Sequence, residues 1–217
     1  MKKLFIMVEG QTEERFVKDI LSDYFFQNNI FAQPILVTTK VVNDGTNFRG
    51  GWVSYSNTRR DLLKLLADTS VYKVTTMLDY YGLPDDFPAW VSHADCYKSV
   101  LAAESAFTND IKHSKFLPYL QLHEFEGIIF SSPKAIVDTL GGGKSAKLAE
   151  VKKHLEHYHS PEEIDQGPET HPSKRLIKMF KDYNKPLHGS LIAQRTGLDE
   201  ILKLCPHFKR WVDLIIQ

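Results

Sequence analysis

The stretch Lys3-Leu4-Phe5-Ile6-Met7-Val8-Glu9-Gly10-Gln11-Thr12-Glu13-Glu14 decides the fold. Leu4 to Val8 is a short continuous apolar run, the pattern of a strand buried at the centre of a sheet. Glu9 closes the run, and Gly10 permits a sharp turn. Thr12 is placed to cap a helix whose first turn carries Glu13 and Glu14. Phe16, Val17, Ile20, Leu21 and Tyr24 continue that helix at helical spacing. Open α/β sheets bind ligands at the carboxyl ends of their strands, so Glu9 and Glu13 are expected at the mouth of a site. Acids in a first helical turn also complement the macrodipole, which accounts for Glu13 and Glu14 without any ligand. It accounts less well for Glu9, because an acid closing a buried strand carries a desolvation cost.

Outward from this stretch, strands and helices alternate. Gln33 to Val42 reads as a second strand, rich in Val, Ile and Thr, followed by a polar loop, Asn43 to Gly51, containing Arg49. Ser56 to Ala67 reads as a helix, and Val71 to Leu78 as a third strand that ends on Asp79. Tyr80 to Trp90 is a loop, Ala94 to Phe107 a helix, and Phe116 to Leu122 a fourth strand leading into His123-Glu124-Phe125-Glu126-Gly127. This order specifies an α/β fold with a mostly parallel central sheet flanked by helices. From Ser132 the pattern is helical: Pro133 to Leu140, Lys144 to His157, Ser173 to Asp182, Ser190 to Arg195 and Leu198 to Ile216. Ser160 to Pro172 is the most loop-like part of this region. The expected organisation is an α/β core over residues 1–131 and a helical C-terminal cap over 132–217, packed as one unit.

Composition narrows the class. At 217 residues, 42% hydrophobic and 25% charged, the sequence is that of an ordinary globular protein. No apolar run is long enough to span a bilayer, and Lys2-Lys3 followed by five apolar residues and Glu9 does not read as a signal peptide. The expected location is the cytoplasm, with no membrane partner. Two cysteines, Cys96 and Cys205, do not make a disulfide framework or a cysteine zinc site. The formal net charge is zero, so a nucleic-acid partner would have to be met by a local patch or another subunit.

Two strands end on acids, Glu9 and Asp79, and a third leads into Glu124 and Glu126. Strand ends share one edge of a parallel sheet, so these carboxylates are expected to converge. Clustered carboxylates repel unless protonation or a cation relieves them. Mg²⁺ is the economical cation, because it takes oxygen ligands and keeps waters that a phosphate can replace.

Val8 to Glu13 after an apolar strand, followed by Met77-Leu78-Asp79, resembles the Toprim domain of the overcoming-lysogenization-defect nucleases and their relatives. A larger set is similar to a bacterial Toprim-like family, domain of unknown function 4276. That set is Val8-Glu9-Gly10-Gln11-Thr12-Glu13, Leu78-Asp79-Tyr80-Tyr81-Gly82-Leu83-Pro84, Leu122 to Phe130, and Cys205-Pro206-His207-Phe208-Lys209-Arg210-Trp211. The resemblance spans nearly the whole chain. It implies a Toprim-like fold that holds Mg²⁺, or Mn²⁺ in its place, for phosphodiester chemistry. Glu9 would then be a metal ligand or general base, Glu13 a second ligand, and Asp79 the principal aspartate. The sequence departs from the usual Asp-x-Asp of such domains, because Tyr81 stands at the second aspartate position. Asp85, Asp86, Glu124 or Glu126 are the candidates to replace it, with Glu124 favoured and helix capping as the alternative fate of either glutamate.

Lys174, Lys185 and His188 are the candidate phosphate contacts in the helical region. Their bland alternative is a solvated helix face. Gly141-Gly142-Gly143-Lys144-Ser145 mimics a phosphate loop but follows a helix pattern and lacks the leading glycine. His154, His157 and His159 have no ligand partner at a recognised spacing. Tyr80, Tyr81, Phe87 and Trp90 read either as base-stacking rings or as an aromatic lid on the sheet edge.

The expected function is a metal-dependent nuclease acting on DNA or RNA. The resemblance implies the effector of a bacterial defence module working with a separately encoded ATPase, and it leaves a homo-oligomer open. The competing readings are a non-catalytic Toprim-like binding subunit and a phosphotransfer enzyme for a small substrate.

Overall fold

Leu4 to Val8 forms the C-terminal five residues of β1 (Lys2–Val8), with Leu4, Ile6 and Val8 fully buried. The computed structural model describes residues 1–37, 52, 54–141, 145–164, 167 and 170–217. These fall into two units, Met1–Gln121 with Ile216 and Leu122–Ile215 with Gln217.

In the first unit β1 is followed by α1 (Gln11–Phe16), a π-helical turn (Val17–Leu21), α2 (Ser22–Gln27) and β2 (Ile30–Leu36). Then come α3 (Tyr55–Leu66), β3 (Val71–Asp79), α4 (Cys96–Ile111), β4 (Phe116–Leu117) and β5 (Leu120–Gln121). The strand order is β2-β1-β3-β4, with β5 also on β3, and each pairing is parallel. The fold is therefore α/β with a mostly parallel sheet flanked by helices, as the alternation of patterns predicts.

Several boundaries differ for identifiable reasons. Gly10, not Thr12, is the N-cap of α1; it makes no side-chain cap, and Thr12 is buried inside the helix. The π turn inserts one residue into the helical repeat, and Ser22 Oγ donates to the Val17 carbonyl across it. The buried stripe therefore runs Phe16, Val17, Leu21, Phe25, and Ile20 and Tyr24 lie at its margin. β2 begins at Ile30, earlier than Gln33. The expected continuation through Val42, and the loop with Arg49, lie outside the described residues. Pro34 is tolerated because β2 is the outer strand of the sheet among the described residues. The fourth strand is broken into β4 and β5 at Pro118-Tyr119. There Thr75 Oγ1 donates to the Leu117 carbonyl, and Thr76 Oγ1 both donates to the Tyr119 carbonyl and accepts the Tyr119 N–H. Two threonine hydroxyls thus satisfy backbone groups that the interrupted ladder leaves over.

The second unit is helical: α5 (Glu126–Ile129), α6 (Pro133–Leu140), α7 (Ser145–Lys153), α8 (Pro172–Met179), α9 (Lys185–Thr196), α10 (Leu198–Leu204) and α11 (Pro206–Ile216). The single helix expected over Leu198 to Ile216 is two, because Pro206 supplies no N–H and starts a new helix at its first position. α9 begins at Lys185 rather than Ser190, since Asn184 Oδ1 accepts the Leu187 N–H while His188 Nδ1 accepts the Asn184 N–H. This reciprocal pair works as a capping box does, with a histidine one position beyond the usual glutamate reaching back to the N-cap amide. α8 starts at Pro172 and stops at Met179, and α7 ends at Lys153; Lys144 lies outside the described residues.

Gly127 follows Glu126 in α5, and a Cβ there would stand 3.2 Å from the Pro161 carbonyl oxygen, which is backbone and cannot swing away. Gly127→Ala is expected to cost about 1–2 kcal/mol through overpacking, measured by denaturant unfolding. Among the described residues, no helix is long and apolar enough to cross a membrane.

Candidate functional site

The chain passes from β1 to β2 on one side and then crosses to β3 on the other, so the strand order reverses between β1 and β3. That reversal is the topological switch point, where open α/β sheets form their ligand crevice. Glu9 follows the end of β1 and Asp79 ends β3. The register pairs Val8 with Met77, and the Asp79 N–H donates to Glu9 Oε2 at 3.2 Å. A backbone amide thus orients the Glu9 carboxylate through a charge-assisted hydrogen bond.

Glu13 comes from the first turn of α1 and is buried. Its Oε2 lies only 3.3 Å from where a Gly10 Cβ would be. Gly10 is extended, with φ −150°, so its value here is the room it leaves for the Glu13 carboxylate, not a left-handed turn. Glu13 and Asp79 are 4% and 9% exposed, and Glu9 is half-buried. The structure therefore brings Glu9, Glu13 and Asp79 to one edge of the first unit. Among the described residues, no three His, Cys, Asp or Glu side chains are close enough together to enclose a metal ion.

Asp79 leads directly into a 3-10 turn, Tyr80–Gly82. Trp90 Nε1 donates to Tyr80 Oη at 3.2 Å, and the two rings meet edge to face. Phe87 is buried against Trp90, Tyr55 and Phe107. The loop after β3 is accordingly fastened to α3 and α4 by aromatic packing. Asp86 accepts the Tyr55 and Ser56 N–H groups at the start of α3, and these amides, Ser56 first, hold its carboxyl below the usual aspartate range. Asp86 is thus engaged in capping a helix. Asp85 is exposed.

A group that the sequence did not single out braces the same region. Asp110 of α4 accepts from Tyr55 Oη and from Arg59 Nε at 2.7 Å, tying α3 to α4. Burial works against the Asp110 charge, but these two donors outweigh it and keep its carboxyl low. Burial, and then Asp110, push the Tyr55 phenol up. An acid near the end of a helix gives no such signal in sequence, because most are solvated.

The second unit holds the remaining candidates. Glu124 accepts the Ser173 N–H at 3.0 Å and the Ser173 hydroxyl at 3.1 Å, in the first turn of α8. Glu126 is fully buried, pairs with Lys185 Nζ at 3.0 Å and accepts from Tyr183 Oη. Burial, and then Glu126, raise the Tyr183 phenol. Glu126 is the first residue of α5, so the two glutamates diverge as they would in a helix. Glu162, in a stretch whose sequence has the pattern of a loop, is fully buried and accepts the His207 and Phe208 N–H groups opening α11. Glu124 and Glu162 thus satisfy amides in first helical turns, and Glu126 pairs with the first residue of a third helix. Lys174 is exposed in the first turn of α8. His188 Nδ1 is occupied by the α9 cap.

Lys185→Met would leave the Glu126 carboxylate buried without its cation. The expected destabilisation is roughly 2 kcal/mol, below that of a fully buried pair because Lys185 is partly solvated. A fall in Tm would mark this structural role, whereas a higher KM at unchanged Tm would mark a phosphate contact.

The solved C-terminal region of the Burkholderia pseudomallei OLD protein is 15% identical to this chain, with all of both chains covered and a TM-score of 0.46. The C-terminal region of the Xanthomonas campestris pv. campestris OLD protein is 15% identical, covers 98% of this chain and 95% of its own, and gives a TM-score of 0.39. No curated protein sequence matches the chain. The family described as "Domain of unknown function (DUF4276)" matches residues 8–216, and the chain belongs to that family.

Proposed function

We propose that this protein is a metal-dependent nuclease, hydrolysing phosphodiester bonds at the edge formed by Glu9, Glu13 and Asp79. The observation that carries the reading is the Asp79 N–H donating to Glu9 Oε2, which joins the acidic ends of the two strands flanking the switch point. The motif resemblance of Val8 to Glu13 and Met77 to Asp79 to Toprim domains supports it.

The donor set consists of carboxylate oxygens alone, two of the three side chains being buried, and this chemistry suits a hard cation. Mg²⁺ or Mn²⁺ needs few protein ligands when water and a substrate phosphate supply the rest, so Glu9 and Asp79 would suffice to hold it, with Glu13 the second ligand that the resemblance implies. The bound ion would supply charge neutralisation at the phosphate and acidify water. Glu9, held by the Asp79 amide and partly open to solvent, would serve either as a ligand of the ion or as the general base that takes a proton from an attacking water. Glu124 and Glu126, weighed as further ligands, are assigned to holding helix starts. Of Lys174, Lys185 and His188, Lys174 is the exposed cation suited to a phosphate of the polymer. A separately encoded ATPase and a bacterial defence role belong to this reading through the resemblance, and a cytoplasmic location goes with it.

A non-catalytic binding module is the second reading, and Tyr81 at the second aspartate position favours it. End-labelled DNA and RNA, and a small chromogenic phosphodiester, incubated with the full chain and Mg²⁺ or Mn²⁺, separate the readings. The nuclease reading expects cleavage of a polymer that chelator abolishes. Turnover of the small ester alone indicates phosphotransfer chemistry, and polymer binding without cleavage indicates the module.

A further inference from the structure

We propose that Tyr81 is a stacking platform for an unpaired nucleobase beside the Glu9 and Asp79 carboxylates, so that the site takes single-stranded nucleic acid. The inference rests on the nuclease reading and specifies its substrate. Tyr81 lies in the 3-10 turn that begins immediately after Asp79 and keeps half of its surface, 50%, in water. Its neighbour Tyr80 is held by the Trp90 indole, and Phe87 anchors the same loop in the buried aromatic cluster. The backbone that carries Tyr81 is therefore tethered on both sides, so little chain freedom is lost when a base stacks on the ring.

An aspartate at this position would offer oxygen to a cation. A tyrosine offers a flat apolar face instead, and every base has a matching π face. A base inside a duplex is already stacked on its neighbours and would have to be extruded first, so a single strand meets the ring at lower cost. One residue, Tyr80, separates Tyr81 from Asp79, the acid that the reaction uses. A nucleotide stacked on Tyr81 thus brings an adjoining phosphate toward the carboxylate edge.

The test uses the full chain in Ca²⁺, to limit cleavage, with two fluorescent probes: a short oligothymidylate strand and the same strand built of abasic residues. Wild type should bind oligothymidylate about tenfold more tightly than the abasic strand. Tyr81→Ala should lose that preference and bind both strands equally, while Tyr81→Phe should keep it. Tyr81→Asp should lose it too. If Tyr81→Ala binds oligothymidylate as wild type does, the platform is overturned and the nuclease reading stands. If wild type binds neither oligothymidylate nor its duplex with oligodeoxyadenylate, the nuclease reading falls and the platform with it.

Discussion

Glu9→Gln and Asp79→Asn will each lower metal-dependent cleavage by roughly a thousandfold or more while leaving the melting temperature close to that of wild type. Both substitutions keep the shape of the side chain and remove its charge. The hydrogen bond between the two strand ends survives in each case: Asp79→Asn leaves the backbone N–H in place, and Glu9→Gln retains a carbonyl oxygen to accept it. Loss of activity would therefore report lost chemistry, not a lost fold. Glu14→Gln is the control. Glu14 sits beside Glu13 in the first turn of α1 but pairs with Lys18, and its neutralisation should change little. If the Glu9 and Asp79 variants instead unfold several degrees early with their specific activity intact, the acids serve only to join β1 and β3.

Glu162→Ala will destabilise the protein by about 3 kcal/mol, because it strands two buried amides, those of His207 and Phe208, at the start of α11. For a chain of this size that is a fall in Tm of roughly 6–12 °C. The same residue makes stability depend on pH. Burial pushes the Glu162 carboxyl up, ahead of the opposing pull of His207 and the two amides. A carboxyl whose folded value is raised contributes its stability fully below the ordinary glutamate value. That contribution is lost as pH rises through the raised one. Comparison with Glu162→Gln isolates the effect: the stability difference should move in favour of the glutamine variant as pH climbs from below about 4.5. A difference that stays flat across that range would mean that the carboxylate is fully compensated by its donors.

The placement of these two acids shows what a sequence can and cannot display. Glu9 was legible because it interrupts a strongly periodic pattern, an apolar strand followed at once by a helix, and the strand order then put Asp79 beside it. Central strands, α/β alternation and the helical second half follow from the same local periodicities. Glu162 was not legible. It lies in a proline-bounded segment that reads as loop, and its partners are backbone amides at the far end of the unit's sequence. Glu124 and Glu126 show the converse error of pattern: two acids flanking an aromatic share a face in extended chain. Here α5 begins at Glu126 and turns them apart, one to Ser173 and the other to Lys185.

Helix boundaries failed where a single atom decides them. Pro206 lacks the N–H that would have continued α10, and His188 reaches back to start α9 a turn earlier than Ser190. The π turn at Val17–Leu21 shifts the buried face of the first helix by one residue, which no count of apolar spacing anticipates. The break at Pro118-Tyr119 was likewise hidden, because its repair depends on Thr75 and Thr76 of another strand. The aromatic loop is an intermediate case. Its rings are plain in the sequence, but only the packing separates Phe87 and Trp90, which anchor the loop, from Tyr81, which stands exposed.

The most direct measurement is a titration of the full chain with Mn²⁺, followed by electron paramagnetic resonance of the free ion and repeated on Glu9→Gln and Asp79→Asn. A metal site at the acidic edge predicts saturable Mn²⁺ binding by the wild type, displaced by Mg²⁺ and lost in both variants. Wild type that leaves Mn²⁺ free, or variants that bind it as tightly as wild type, would contradict the assignment of Glu9 and Asp79 as the metal-holding edge.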